Sequence, residues 1–325
     1  MRLPEGFSLR GPTESDLEGV HALLTAFDVH HFGSREIDAG YLLEEWRRAR
    51  FDLARDAWVV IDPAASIVGY AEVYDEEPHR TFEAFGRVHP SHQGRGLGTA
   101  LVDRMERRAL EHLPAGSGGE EVVVRNAVVS VDRAAHALLE ARGYDPARHF
   151  WHMEVSLDDG HFEPTPPPRG ILVRGFRPGL DEAAIHSVLE EAFAGHWGSV
   201  PISFSDWNRD FRSAASFDPG LWFAALDGDR VVGALLGRYL GAKPWIDALG
   251  VLPAWRGRGI GASLLRTAFA EFRRRRAATV TLNVDAQNET GATVLYERVG
   301  MRPTRRWDIY EKRLQRLLPG DPGYP

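Results

Sequence analysis

Apolar residues recur at helical spacing through Leu264, Leu265, Ala268 and Phe272, which predicts a helix over Gly261–Arg276. Just before it, Trp245–Val251 reads as a strand, and Val280–Val284 reads as another just after. Leu221–Leu226 and Arg230–Leu240 are two more apolar runs, joined at Asp227, Gly228 and Asp229, a hairpin turn signal. A last helix is expected between Asn288, read as its N-cap, and Gly300, placed where a left-handed glycine ends a helix. The order in each half is strand, two helical segments, several strands, a glycine-rich segment, helix, strand, helix, strand. That alternation predicts an α/β layered fold built on a mixed α+β sheet.

The two halves repeat each other. Val88–Gly98 aligns without a gap on Val251–Gly261, Leu138–Gly143 aligns approximately on Leu295–Gly300, and Leu9–Arg10–Gly11 opens the first half as Val173–Arg174–Gly175 opens the second. The repeat is domain-sized, so duplication of a whole domain explains it better than a solenoid. Between the halves lies Glu163–Gly170, where Pro166, Pro167 and Pro168 favour an extended spacer. The expected division is therefore residues 1–162, a linker at 163–170, residues 171–318, and a frayed tail at 319–325.

The 325 residues include 46 acidic and 39 Lys or Arg side chains, a net charge of −7, which argues against a nucleic-acid binder. No cysteine is present, which excludes disulfides, zinc–thiolate sites and a cysteinyl-acyl intermediate. No run approaches the roughly 20 apolar residues of a membrane span, and the start lacks an apolar signal region. A cytoplasmic, monomeric or homodimeric protein is expected.

Chemistry concentrates where a strand meets a helix through Arg256, Gly257, Arg258, Gly259, Ile260, Gly261 and Ala262. Glycines leave the backbone open to close approach, and the first amides of the helix have no internal partner and carry the positive dipole end. That makes a phosphate-sized anion site. Gln93, Gly94, Arg95, Gly96, Leu97, Gly98 and Thr99 repeat it in the first half. Neither copy has the spacing of a nucleotide P-loop or a dinucleotide fingerprint.

The pattern Q/R-x-x-G-x-G/A, set after a strand ending in V-x-P, resembles the GCN5-related N-acetyltransferase (GNAT) superfamily, once in each half. With Asn288 and Tyr296 following the second copy, the layout is similar to tandem actinobacterial members such as mycothiol synthase. The resemblance implies two tandem acyl-CoA N-acyltransferase domains, with acetyl-CoA pyrophosphate on the amides of 93–99 and 256–262. It also implies pantetheine wedged beside Val88 or Val251, Asn288 as a coenzyme A contact, Tyr296 as the acid that protonates the leaving thiolate, and the Val251 amide as oxyanion donor. Asp247 stands where relatives carry an acid on the strand. As the candidate general base it acts through water; otherwise it holds the substrate amine, or is a solvated strand-edge carboxylate. Glu83 lies one position off in the first half, which has Leu139 for Tyr296 and Val131 for Asn288. The second half is therefore expected to be the catalytic one, while the first binds coenzyme A or only supports the fold.

An alkyl amine has a pKa of about 10 and needs a base or water path, while a thiolate leaving group near 8.5 can take its proton from a tyrosine. Direct transfer in a ternary complex to a primary amine of a small molecule follows. His196 and Trp197, between the first two helices of the second half, either shape the acceptor pocket or pack as a core pair; His30, His31 and Phe32 occupy the matching stretch of the first. No metal site is expected from adjacent histidines. Arg273–Arg276 is read as a solvated run complementing a helix dipole, or as a grip on the coenzyme A 3′-phosphate. Mycothiol synthase-like or amino-sugar and antibiotic acetylation are the enzymatic alternatives, and an acyl-CoA-binding sensor without turnover is the alternative from another class.

Overall fold

The computed structural model describes residues 3–35, 37–48, 50–77, 80–113, 121–158, 166–213, 216–288 and 290–315. In chain order these form β1 (Ser8–Arg10), α1 (Leu17–Phe32), α2 (Ala39–Trp46), α3 (Leu53–Asp56), β2 (Ala57–Ile61), β3 (Ile67–Glu77), β4 (Thr81–Val88), α4 (Leu97–Glu111), β5 (Glu121–Val129) and α5 (Arg133–Ala141). Then come β6 (Asp145–Ser156), β7 (Ile171–Gly175), α6 (Glu182–Phe193), α7 (Phe204–Ser213), β8 (Trp222–Asp227), β9 (Arg230–Leu240), β10 (Lys243–Val251), α8 (Ile260–Arg274), β11 (Thr279–Asp285), α9 (Ala292–Arg298) and β12 (Arg302–Gln315). Among the described residues no helix is long and apolar enough to cross a membrane.

The chain divides into two compact units, residues 1–149 with 307–325, and residues 150–306. This differs from a cut at the proline-rich segment. The reason is an exchange of closing strands. Trp307–Gln315 of β12, from the end of the chain, runs antiparallel to Val129–Glu121 of β5 and so completes the sheet of the first unit. Phe150–Ser156 of β6 runs antiparallel to Asp285–Thr279 of β11 and completes the sheet of the second. Residues 163–165 of the expected linker and the tail 319–325 lie outside the described residues.

In the first unit, antiparallel β1, β2, β3 and β4 lead to β5, which joins β4 in parallel from Thr81 to Ala84 only. One face packs Phe82 and Ala84 on Leu97, Leu101 and Met105 of α4. The other packs Val59 and Tyr70 on Val20, Leu23 and Leu24 of α1 and Trp46 of α2. Each fully buried Leu, Val or Phe stabilises by about 1.5–3 kcal/mol against exposure. The second unit repeats the plan with β7, β8, β9 and β10, and β11 joins β10 in parallel at Trp245 and Thr281. Its core combines α6 (Ile185, Val188), α8 (Leu264, Phe269, Phe272) and β6 (Met153, Val155).

The helix expected over 261–276 runs from Ile260 to Arg274 and ends where Arg276 takes a left-handed φ of 65°. Asn288 is not the cap of α9; Gly291 occupies that position, while the Asn288 side chain, three residues earlier, accepts from the Thr290 amide at 2.7 Å in a turn that leads into the helix.

Two features prepare a site. Beyond their short parallel contacts β4 and β5 part, as do β10 and β11, which leaves a wedge in each sheet. In addition β10 carries a bulge: Ile246 pairs with Gly237 and Ala248 with Leu236, so Asp247 has no opposite residue. β4 pairs without interruption from Phe82 to Val88. A bulge bends its strand and re-aims the extra residue.

Candidate active site

The orientation of Val251 follows from ladder alternation. The Leu252 amide donates to the Val232 carbonyl at 3.0 Å, so in an antiparallel pair the neighbouring Val251, and Leu249 before the intervening Gly250, turn their backbone groups away from β9. They face the wedge beside β11. The Val251 carbonyl confirms the direction, because it accepts from Arg256 Nε at 3.1 Å. The Val251 N–H therefore looks into the wedge as an available donor. In the first unit, the His89 amide on Val68 sets Val88 the same way.

After β10 the chain turns through Gly257 and Gly259, with φ of 74° and 85°, conformations that glycine adopts without the Cβ clash. Gly94 and Gly96 repeat this at 74° and 79°. Gly259 and Gly96 cap α8 and α4, and the first intrahelical amide bonds there come from Ser263 and Ala100. The amides before those have no carbonyl to meet inside the helix and lie at its positive end. Ile260 and Leu97 send their side chains into the cores, so only their backbone serves the loop. A Cβ on Gly261 meets Leu295 Cδ2 at 2.9 Å, and one on Gly98 meets Leu138 at 2.9 Å, so glycine lets the following helix close against the loop. Ala262 and Thr99 complete the walls. The Arg256 side chain does not reach outward: its guanidinium ties Val251 to the carbonyl of Ala192 at the end of α6. Arg258 folds back onto the Ala254 carbonyl at 3.0 Å, and Arg95 is exposed.

In the second unit this loop opens on a cavity of about 480 Å³ that runs past Leu249 and Val251 to Tyr296. A second cavity, of about 310 Å³, is lined by Phe150, Trp197, Asp247, Asp285 and Asn288. The two share Phe193, His196, Leu249, Thr290, Ala292 and Tyr296 as common wall. Tyr296 is buried on α9, and burial pushes its phenol up to about 12. His196 sits against the edge of Phe193, with ring centroids 5.1 Å apart, and its Nε2 has no hydrogen-bond partner among the described residues. Burial lowers its pKa, Arg256 lowers it further, and Asp285 opposes both. Trp197 packs on Phe150 at 6.2 Å. Asp247 forms an ion pair with Arg238 Nη2 at 2.8 Å.

The corresponding cleft of the first unit, about 420 Å³, runs from Gln93 and Gly94 to Leu139. Leu139 and Val131 offer no proton and no amide group there. Beyond them the first unit is filled by a group that the second lacks. Arg87 stands where the repeat has Gly250, buried over the rings of Phe27 (4.7 Å), Phe85 (4.2 Å) and Trp307 (5.4 Å). Burial brings its pKa down to about 10, against the pull of Asp28 and Asp132, and its Nη2 has no partner among the described residues. His31 lies 3.9 Å from Asp132 and in edge contact with His30, while Phe32 touches Trp307. Among the described residues no group of three or more metal-ligating side chains is placed to hold an ion. Glu83 is held by Arg125 at 3.4 Å. Of the basic run, Arg274 and Arg275 bind Glu271, each at 2.7 Å, and Arg275 also binds Asp218.

Four contributors are absent from the sequence reading: Arg87, Phe150, Arg238 and Asp285. Arg87 was legible in principle as a charge inside an otherwise apolar strand end. Phe150 was not, because it arrives on the exchanged strand.

The chain matches the model of the Acetyltransferase (GNAT) family twice, at residues 20–144 and 183–301. It is 31% identical over 249 residues to the mycothiol acetyltransferase of Streptomyces scabiei, covering 74% of this chain and 75% of that one. To the mycothiol acetyltransferase of Catenulispora acidiphila it is 29% identical over 312 residues, 92% and 95% of the two chains. Among solved structures it is similar to a GCN5-related N-acetyltransferase from Sphaerobacter thermophilus, with TM-score 0.85, 33% identity and 98% of each chain covered. A tandem GNAT protein from the clavulanic acid biosynthesis pathway shares the fold, with TM-score 0.73 and 16% identity over 94% of this chain and 98% of that one. Two family matches on two repeats of one loop-and-helix cradle lead to one assignment: the chain belongs to the GNAT family of acetyltransferases, as a tandem member.

Proposed function

We propose that the second unit transfers an acetyl group from acetyl-CoA directly to a primary amine of a small molecule. The observation that carries this reading is the wall shared by the two cavities: the cleft under the glycine loop and the pocket beside Trp197 meet at His196, Leu249 and Tyr296. The open amides after Gly257 fit a pyrophosphate, and the wedge beside β11 fits an extended pantetheine arm. The Val251 N–H is aimed where the thioester carbonyl gains negative charge, the placement that makes such donors effective. Tyr296, kept protonated by burial, supplies the proton for the departing thiolate. Asp247, anchored by Arg238, holds the acceptor's ammonium or hydroxyl groups rather than moving freely. Asn288 lines the acceptor side of the wall. The name shared by the relatives, mycothiol acetyltransferase, makes a cysteinyl amino-sugar conjugate the first acceptor to try.

In the first unit the cradle is retained, with the same glycine conformations, while Leu139 and Arg87 occupy the places where chemistry would happen. This supports a coenzyme A site without turnover there. Calorimetric titration with acetyl-CoA, counting sites, combined with thiol release over a panel of primary amines, tests both readings. Two sites, with turnover cut about 100-fold by Tyr296→Phe, support them. Absence of any acetyl-CoA binding overturns the acetyltransferase mechanism, and one site lost with a Gly259→Val variant overturns the second coenzyme A site.

A further inference from the structure

We propose that His196 is the general base of the second unit, taking the proton of the acceptor amine, and that Asp247 positions the acceptor. The inference rests on the acetyl-transfer reading above and names a group that reading leaves open.

Geometry carries it. A base in this reaction must touch the acceptor nitrogen while that nitrogen touches the thioester carbon, so it must stand where the two substrates meet. His196 lines both the cleft and the acceptor pocket. Asp247 lines the acceptor pocket alone. Its carboxylate is also committed: the Arg238 guanidinium holds it at 2.8 Å in a pair whose side chains are 27% and 19% exposed. Protonating Asp247 would leave that guanidinium partly buried without its counter-charge, a loss that protonating His196 does not incur. The imidazole of His196 has the opposite situation. Its Nε2 is buried and has no hydrogen-bond partner among the described residues, and Phe193 supports the ring edge-on at 5.1 Å.

The charged and titratable groups around the ring come from every side of the pocket. Arg256 belongs to the loop after β10, Asp285 to the end of β11, Asp247 to the bulge of β10 and Tyr296 to α9. Burial and Arg256 favour the neutral ring, and Asp285 opposes them. A neutral imidazole at physiological pH is ready to accept a proton.

The step balances. The lone pair of the neutral amine forms the N–C bond at the thioester carbonyl, and the amine proton passes to the imidazole of His196. The C–S bond breaks, and the sulfur takes the proton of the Tyr296 hydroxyl. One proton has entered at His196 and one has left at Tyr296, and exchange with solvent restores both.

The test compares His196→Gln and Asp247→Asn with the wild type in kcat, KM and pH dependence, using acetyl-CoA and the best primary amine of the panel, with calorimetric acetyl-CoA affinity as the check on folding. For His196→Gln the expected result is a kcat loss of about 100-fold, the lower end of general acid–base contributions, with acetyl-CoA affinity within twofold and the limb of the kcat/KM profile below neutrality gone, while the amine's own ionisation remains on the alkaline side. For Asp247→Asn it is a rise in acceptor KM of about tenfold with that limb retained. A larger kcat loss in Asp247→Asn than in His196→Gln, or a limb below neutrality that survives in His196→Gln, overturns the assignment while leaving acetyl transfer intact. A histidine ¹⁵N titration showing His196 protonated at pH 7.5 overturns it without any turnover measurement. A wild type that acetylates no amine overturns the underlying reading instead.

Discussion

Arg256 Nε lies 3.1 Å from the carbonyl oxygen of Val251, so the side chain that opens the glycine loop also fixes the strand end carrying the candidate oxyanion donor. With its second bond to Ala192, at 2.9 Å, it ties three elements of the cleft to one guanidinium. Replacing it by methionine keeps the aliphatic stem and removes both bonds, each contributing about 1 kcal/mol. Acetyl-CoA affinity in Arg256→Met is expected to fall about tenfold, the equivalent of 1.4 kcal/mol. Calorimetry checks this; an affinity within twofold of the wild type would show that the loop holds its shape without the tie.

Tyr296 makes a prediction on the alkaline side. Its pKa, raised to about 12 by burial, keeps the phenol protonated through the range near pH 10 in which the amine becomes free to react. The rate should therefore show no loss of the acid below about pH 10. Stability has the matching sign. The folded pKa exceeds the unfolded value of about 10, so the contribution is fully present below pH 10 and is lost as pH rises towards 12. Tyr296→Phe should cut kcat by about 100-fold and remove that alkaline loss of stability in urea titrations at pH 9 and pH 11.

Much of this was legible locally. The glycine loops, the hairpin at Asp227–Gly228–Asp229 and the helix after Gly259 are written in short-range spacing, because turn chemistry and helix periodicity act over a few residues. The repeated Arg–Gly opening was visible too, and the structure supplies its cause: Arg10 grips Asp16 and Arg174 grips Asp181 in the same two-pronged geometry. What spacing does not carry is partnership across long separations. The pairing of β12 with β5 and of β6 with β11 brings Phe150 and Trp307 to units that their sequence positions do not suggest. The bulge at Asp247 depends on registry with β9, and the Arg238 ion pair follows from that registry.

The Arg174–Asp181 pair gives an acid-side prediction. Asp181 accepts from Arg174 at 2.5 and 2.9 Å and from the Arg177 amide, which lowers its carboxyl to about 2. A depressed folded pKa means stability present above the unfolded value near 3.9 and lost as pH falls towards 2, about 2 kcal/mol for a buried carboxylate of this kind. Asp181→Asn should lower the urea midpoint at pH 7 and flatten the dependence of stability on pH between 4 and 2. An unchanged slope would mean that other carboxylates dominate acid unfolding.

The first unit offers a test by repair. Leu139→Tyr and Val131→Asn place the two missing groups on α5 and before it, yet Arg87 still fills the space between Phe27, Phe85 and Trp307. In a Tyr296→Phe background the repaired chain should therefore acetylate no faster than Tyr296→Phe alone. Recovery of even tenfold would show that Arg87 does not close the acceptor side.

The exchanged strands make the last prediction. Deleting residues 307–325 removes Tyr310 and Leu314 from the core of the first unit and exposes the β5 edge, whose amides then lack a ladder partner. The same deletion leaves the core of residues 150–306 untouched. Two buried side chains at about 1.5–3 kcal/mol each, together with the lost ladder, are comparable with the 5–15 kcal/mol that holds an ordinary domain folded. The truncated chain should accordingly unfold in two steps, with the first unit melting well before the second. A fragment of residues 166–325, cut at the apparent linker, should fail in the complementary way. It lacks Met153, Val155 and Leu157, all buried in the second unit, and leaves β11 without its outer partner. Circular dichroism and urea titration of both truncated chains check this. A fragment of residues 166–325 that unfolds cooperatively near the midpoint of the intact chain would show that the exchange contributes little, and that each sequence half closes its own sheet when isolated.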